Sequence, residues 1–491
     1  MKKKIISIFL IICLLAVTYF SVGADSNDDT TLFESNKPLQ LWYTDEALTN
    51  YVESAAFDYQ EETGNKIVPV LVSGLEYLEE INTATLEGEG PDLFIVSNDS
   101  LEKAYLAGLA GEIADPEGIV NQNCYPKAAL SAVTYKDKLI AYPFYYETSI
   151  FLYNQTYIEN LAKDTIEAEA NAAEGEAAME AIEAAGSEEA AEAQVVAEAK
   201  TVEVTEEEVA KTIDVIIPAT VEEILTFAEE YDAPEQVEAV FKWDVSDIFY
   251  NYFVVGNYIT VGGDAGDDSN NIHIYNEDAM KCLAVYQKLN QFFSIEPKEV
   301  SYDSILQEFI EGKTVFTVAT TDAIKKIEDA KAAGEFAYDY GVATMPNVSG
   351  ELQSRSLSVT NAVVINGYNE HKEVAEDFAK YMTYDKAESL YDRTGKISAR
   401  KDIIYDNKKI QVTLAEYEKS IPIPKMMETS SFWVHLEIAF ANIWQGADIN
   451  ETLRNLSEQV MTGVTGTEYK EEILPTPILE EETEQESDME E

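Results

Sequence analysis

The chain has 491 residues with a formal net charge of −58, and 46% of them are hydrophobic and 11% aromatic. That much apolar material builds a large buried core, and the length allows two or three domains. The charge excludes nucleic acid and anionic membranes as partners, because both are repelled by such a field.

Met1-Lys-Lys-Lys4 opens the chain, followed by an apolar run from Ile5 to Phe20 and the pattern Val22-Gly23-Ala24 before Asp25. A basic start, an apolar stretch short of a membrane span and small residues before a polar one read as a secretory signal over 1–24. The expected location is secreted or extracytoplasmic, in a periplasm or at a cell surface. Cys13 follows Leu10-Ile11-Ile12 and lacks the small preceding residue that a lipoprotein signal needs, so lipid anchoring there is not favoured. No later run is apolar enough to span a membrane.

Leu39 to Thr44 is apolar and aromatic, which predicts a buried strand. Asp45 to Thr63 carries Leu48, Val52, Ala55, Ala56 and Tyr59 at helical spacing and stops at Gly64. Lys66 to Val72 and Leu93 to Val96 predict further strands, with Asp99 or Ser100 as the cap of the next helix. Alternating strands and helices imply an α/β fold with mainly parallel pairing. Leu139 to Tyr146 and Ile150 to Asn154 predict two strands meeting at Glu147. Residues 159–211 are dominated by Ala and Glu and read as an insertion, either a solvated helical excursion or disordered. Thr220-Val-Glu-Glu223 is a capping box. Helices are predicted over Asp303–Glu311, closed by Gly312, and Asp448–Met461, closed by Gly463; Thr314 to Ala319 predicts a strand. The acidic tail, 467–491, reads as disordered.

Three histidines, His273, His371 and His435, have no paired-ligand spacing, and no metal or cofactor is expected. Cys124 and Cys282 lie far apart and read as free thiols or as one disulfide. Asp264, Asp267, Asp268 and Asn270 form an acidic loop without the spacing of a helix–loop–helix calcium site, so a polar turn is expected.

In order, Leu41-Trp-Tyr-Thr-Asp45, Gly90-Pro-Asp-Leu-Phe94, Ala107-Gly-Leu-Ala-Gly-Glu-Ile113, Lys138-Leu-Ile-Ala-Tyr-Pro143 with Glu147 and Tyr153-Asn154, Phe309-Ile-Glu-Gly-Lys-Thr314, Tyr340-Gly-Val-Ala-Thr-Met-Pro346 and Ser431-Phe-Trp433 stand along the chain. This succession resembles the extracellular solute-binding proteins of ABC importers, the maltose-binding-protein-like type. The resemblance implies a two-lobed, hinged α/β fold of the type II periplasmic-binding-protein kind. Its lobes would be 37–144 plus 346–394 and 145–345 plus 395–466. Crossings would fall near Tyr142–Glu147, Thr344–Pro346 and Thr394–Ile397. It also implies a monomer that captures a carbohydrate, an oligosaccharide, between the lobes and delivers it to an ABC-transporter permease.

Sugar hydroxyls need acceptors, and sugar C–H faces stack on aromatic rings. Residues of those types at the junctions are Tyr43, Thr44 and Asp45; Asn98 and Asp99; Tyr145, Tyr146 and Glu147; and Phe432 and Trp433. By the family match, Asp45, Asp99, Glu147 and Trp433 fall on sugar-contacting positions. Val96 and Asp322 stand where stacking tryptophans fall, and Ser100 and Glu437 stand at two arginine positions. These departures point away from maltodextrin and toward a small or different glycan. Trp243, Asp244, Asp247, Phe249 and Tyr250 are further candidates. No catalytic motif is present, so an enzyme is not expected. A glycan-active enzyme using cleft carboxylates and a surface adhesin are the competing readings.

Overall fold

The computed structural model describes residues 38–185, 204–429 and 431–477. The leader expected over 1–24, Cys13 and residues 478–491 of the acidic tail lie outside the described residues. Ten strands form the main sheet: β1 (Leu39–Tyr43), β2 (Ile67–Leu71), β3 (Leu93–Ser97), β4 (Tyr142–Asn154), β5 (Ala239–Phe241), β6 (Thr314–Thr320), β7 (Tyr340–Ala343), β8 (Leu357–Ile365), β9 (Ile397–Ser398) and β10 (Ile421–Pro422). Alternation along β1 buries Leu39, Leu41 and Tyr43. The following helix, Thr49–Thr63, buries Tyr51, Val52, Ala55, Ala56 and Tyr59 on one face. It ends at Gly64, whose φ of +79° is the left-handed turn that glycine adopts without strain. Asp45 does not begin that helix; it caps a single 3-10 turn, Glu46–Leu48, ahead of it. Neither Asp99 nor Ser100 caps a helix through its side chain.

Strand β1 pairs in parallel with β2 and β3, and β5 with β6. Strand β8 also pairs in parallel with β10, and the remaining pairings are antiparallel, so the sheet is mixed rather than mainly parallel. The reason is β4, which the sequence suggested as two strands meeting at Glu147 and which is one strand of 13 residues. Its first half pairs with β8 and β9, and its second half, from Ser149, pairs with β6 and β7. The β4–β8 register slips between Asn361 and Ala362, where the partners jump from Tyr145 to Pro143. A bulge there fits Pro143, which has no N–H to give a ladder, and it re-aims Tyr145.

Two lobes lie on either side of these crossing strands. The first core gathers Leu41, Phe94, Val363 and Phe378. The other side packs Phe151, Trp243, Phe316 and Trp444 in one cluster, and Phe309, Ile324 and Tyr417 in another. Phe151 stacks on Phe316 at 5.3 Å, and Trp243 on Phe241 at 4.5 Å. Each such side chain contributes about 1.5–3 kcal/mol by leaving water. Val348 and Leu357 belong to the second side and Val363 to the first. The change of core therefore falls inside β8, later than the crossing expected near Thr344–Pro346.

The Ala/Glu segment is helical where it is described. Gln155–Ala185 is one helix and Glu206–Ile216 another, the second opened by a Thr205/Glu208 capping box. Tyr157, Ile158, Ala162, Val209 and Ile213 are buried in the second core, so both ends of 159–211 are rooted in the fold. The expected capping box at Thr220 and Glu223 opens the helix Val221–Glu230. The helix Ile449–Thr465 closes at Gly466 rather than Gly463. Beyond it, Asn450 Nδ2 donates to Leu474 O at 2.9 Å and Leu474 N to Tyr275 Oη at 3.0 Å. Residues 467–477, expected within the disordered tail, are thus tied down.

The acidic loop behaves as a turn. Asp264 pairs with Lys127 at 2.5 Å, and Asp267 accepts from Lys136 N at 2.7 Å. No group of three or more His, Cys, Asp or Glu among the described residues is arranged to hold a metal ion. Beneath this loop lies Lys425, 1% exposed, donating to Ser131 O at 2.8 Å and to Ala265 O. Burial pushes its ammonium down to about 8, against the opposing pull of Asp267 and Glu102. Cys124 and Cys282 are both free thiols, not a disulfide.

Candidate functional site

The strand ends of the first lobe open onto a cavity of about 360 Å³ lined by Thr44, Asp45, Tyr77, Ile95, Val96, Ser97, Lys103, Tyr145 and Asn361 among others. The carboxyl ends of strands in an open α/β sheet are where ligands bind, because the chain turns away there and leaves a crevice. Thr44 is exposed on its rim, and Val96 fills the wall where the family resemblance places a stacking ring. Lys103 is held by Glu79 at 2.7 Å.

At the edge of this cavity three chain segments meet on one cation. Lys396, between the helix Leu390–Thr394 and β9, places Nζ 3.0 Å from Asp45 Oδ2 and 3.0 Å from Glu147 Oε1. It also lies 5.3 Å from the centre of the Tyr145 ring. Burial alone would lower its pKa, but the Glu147 and Asp45 carboxylates outweigh it and hold the ammonium above its ordinary value. Asp45 Oδ1 meanwhile accepts from Ala47 N at 3.0 Å. The Tyr145 phenol is pushed up by burial and then by the charges of Asp45 and Glu147.

The second lobe faces this point with acids and aromatic rings. Tyr250 stacks on Tyr302 at 5.1 Å. Tyr302 donates to Asp322 at 2.6 Å, and Lys326 pairs with the same carboxylate at 2.9 Å. Burial opposes the charge on Asp322, but donors from Thr320, Tyr302 and Lys326 carry its pKa below the usual range. The Tyr250 phenol is raised by burial and then by the charges of Asp247, Asp322, Asp244 and Glu147. Asp247 caps a short helix through Phe249 N at 2.8 Å, and the Phe249 carbonyl accepts from Ser149 at 3.1 Å. Asp247 and Glu437 are both pushed up, by burial and then by acidic neighbours, Asp244 among them. Trp433 is partly buried, its ring 5.6 Å from that of Tyr252.

Asp45, Tyr145, Glu147, Asp247, Phe249 and Asp322 thus gather about the hinge. Four expected ligand residues do not reach open space. Tyr43 is 2% exposed, its hydroxyl bonded to Thr49 at 3.1 Å. Tyr146 is stacked flat on Tyr417 at 3.9 Å. Phe432 is fully buried. Asn98 accepts from Thr360 N at 2.9 Å and donates to Ile423 O at 2.7 Å, which makes it a buried splice between strands. Asp99 is exposed and accepts from Ser97 and Ser100. The sequence reading missed Lys396, Tyr302 and Lys103. A signal for the first existed, since Lys396 is the only charged residue of the crossing Thr394–Ile397.

A sheet shared by two cores through long crossing strands, with polar groups converging where those strands change partners, defines a hinged binding protein. Residues 54–413 match the family described as bacterial extracellular solute-binding protein, and the chain belongs to that family. It is 20% identical over 476 residues to a galactooligosaccharide-binding protein of Bacillus subtilis, covering 93% of this chain and 96% of the relative. It is 21% identical over 431 residues to a maltooligosaccharide ABC transporter solute-binding lipoprotein of Streptococcus pneumoniae, covering 86% of each. A cyclo/maltodextrin-binding protein solved with maltotetraose superposes with a TM-score of 0.66 at 20% identity, over 88% of this chain and 98% of that one. All three are binding proteins by name. No helix among the described residues is long and apolar enough to cross a membrane.

Proposed function

We propose that this protein captures an oligosaccharide between its lobes, outside the cytoplasm, and hands it to an ABC-importer permease. The observation that carries the reading is the convergence of Asp45, Tyr145, Glu147, Lys396, Tyr250 and Asp322 where β4 and β8 pass between cores. Charged acceptors, one ammonium and aromatic rings are the groups that hold sugar hydroxyls and C–H faces. The relatives named for galactooligosaccharide and maltooligosaccharide support the same class of ligand. We take the division into lobes to follow 37–144 plus 346–394 and 145–345 plus 395–466, with the second boundary moved into β8. The protein acts as a monomer after removal of residues 1–24, without lipid at Cys13, and performs no catalysis. Hinge closure signals loading only because the ligand binds the closed form better than the open one.

Differential scanning fluorimetry of the mature chain against maltotetraose, galactotriose, amino acids and short peptides tests this. A native-state ligand at a hundredfold excess over its Kd adds about 2.7 kcal/mol of stability. A rise in Tm with a sugar, lost in Glu147→Ala, is the expected result. A rise only with an amino acid or peptide, or none with any sugar, overturns the carbohydrate assignment.

A further inference from the structure

The hydrogen-bond capacity around Lys396 is unevenly spent. Asp45 uses both oxygens, Oδ1 on Ala47 N at 3.0 Å and Oδ2 on Lys396 at 3.0 Å. Glu147 uses one: Oε1 accepts from Lys396 Nζ at 3.0 Å, and Oε2 has no partner among the described residues. An ammonium carries three protons. Two are directed at the carboxylates, and the third has no protein acceptor among the described residues. The trio is not sealed, since the side chains of Lys396, Asp45 and Glu147 are 18%, 31% and 34% exposed. Beneath them lies the Tyr145 ring, 5.3 Å from Nζ, in the wall of the cavity.

Resting on the carbohydrate reading above, we propose that Lys396 and Glu147 are a donor–acceptor pair that reads two adjacent sugar hydroxyls. Asp45 is the positioning residue that fixes Lys396 and does not itself touch the ligand. One hydroxyl donates to Glu147 Oε2, and its neighbour accepts from the remaining Lys396 proton. The ammonium holds Oε1 at 3.0 Å, so the free Oε2 of the same carboxylate stands beside the donor, as neighbouring hydroxyls on one ring require. Both bonds are charge-assisted, which makes them the stronger kind. The two carboxylates keep Lys396 charged, so the donor stays loaded at any physiological pH.

Isothermal titration calorimetry on the mature chain separates the two claims. Maltotetraose and galactotriose are titrated first into the wild type, then into Lys396→Met, Lys396→Gln, Glu147→Gln and Asp45→Asn. Monodeoxy analogues of the better-bound sugar follow. Lys396→Met and Glu147→Gln should each weaken binding by about tenfold to a hundredfold, and Asp45→Asn by less than about fivefold. One deoxy analogue should bind the wild type about tenfold more weakly than the parent sugar, yet bind Lys396→Met no worse than the parent does. A merely structural lysine would leave that penalty intact in the variant. Lys396→Gln keeps a donor and should recover part of the binding that Lys396→Met loses; if the methionine variant fails to fold, Glu147→Gln carries the test, and equal binding by it refutes the pair. If the wild type binds neither sugar, the carbohydrate reading itself fails. If the wild type binds and Lys396→Met binds equally well, or carries the full deoxy penalty, the pair is refuted. Asp45→Asn losses as large as those of Glu147→Gln refute the assignment of Asp45.

Discussion

Two lysines are buried beside the crossing strands, and they are held in opposite ways. Lys396 sits between two carboxylates, and its ammonium is stabilised above the ordinary lysine value despite burial. Lys425 is more deeply buried, takes two backbone carbonyls as acceptors, and has its ammonium pushed down to about 8. Carbonyl dipoles satisfy the protons of an ammonium without supplying the countercharge that offsets desolvation. Depth and partner act together: the deeper lysine, bonded to carbonyls with its carboxylates farther off, is pushed down, and the shallower one between two carboxylates is held up. Lys396 ties Asp45, just past β1, to Glu147 in β4 beside the cavity, and Lys425 braces the acidic loop against the segment Lys127–Lys136 through Ala265 O and Ser131 O.

The largest effect that distinguishes them appears on making the solution alkaline. Below about pH 8 Lys425 is charged in both folded and unfolded chains, and its desolvation cost is fully carried. Between about 8 and 10.5 the folded chain releases the proton while the unfolded chain keeps it. The unfolded state then binds more protons, so stability rises with pH across that window, by on the order of 2–3 kcal/mol. Urea unfolding at pH 7.5 and 10 should show the wild type gaining stability relative to Lys425→Met, a difference in which the buried tyrosines, which titrate near pH 10 once unfolded, cancel. Lys396 has the other sign. Its stabilising share is complete below the unfolded value of 10.5 and is lost only as pH climbs through its raised folded value. A wild type that gains no stability relative to Lys425→Met between pH 7.5 and 10 would break the contrast.

Removing the Lys396 charge is the next largest change. Lys396→Met leaves Asp45 and Glu147 without their shared cation, and all three side chains are partly open to water. Breaking a fully buried pair costs about 3–5 kcal/mol, and solvent screening reduces that here to about 1–2 kcal/mol. The ligand-free Tm should fall by about 1–2 °C. An unchanged Tm would mean that water already does the work of the lysine.

How far the sequence led follows the range over which each signal acts. Local signals read correctly: the alternation of β1, the helix ending at Gly64 and the Thr220/Glu223 capping box depend on neighbours a few residues away. Glu147, an acid among apolar residues, was legible as needing a partner. Lys396 was not legible as that partner, because Thr394-Gly-Lys-Ile397 has the look of any solvated turn. Tyr43, Tyr146 and Phe432 misled for a related reason: an aromatic at a strand or helix end has the same local pattern whether it meets a ligand or a core. The continuous β4 was hidden because a strand serving two cores carries two apolar runs with a polar residue between them. The Ala/Glu composition concealed Ala162, Val209 and Ile213, whose burial comes from where the two helices are rooted.

The smallest predicted effect concerns acids that have no lysine at all. Asp247 and Glu437 form no ion pair among the described residues, and burial and then acidic neighbours hold both above the usual carboxylate range. A raised carboxyl favours the folded state fully only below its unfolded pKa, and that advantage is lost as pH rises through the folded value. At neutral pH the charges therefore oppose folding. Asp247→Asn with Glu437→Gln removes them, and asparagine keeps the helix cap that Asp247 provides. Because both residues still present surface to water, which screens the charges, the gain should be no more than a few tenths of a kcal/mol at pH 7 and should vanish near pH 4. Denaturant titrations at the two pH values measure it. A double variant less stable than the wild type at pH 7 would place a compensating cation beside these acids. The second lobe would then be neutralised as the hinge is, and the difference between the two acidic groups would disappear.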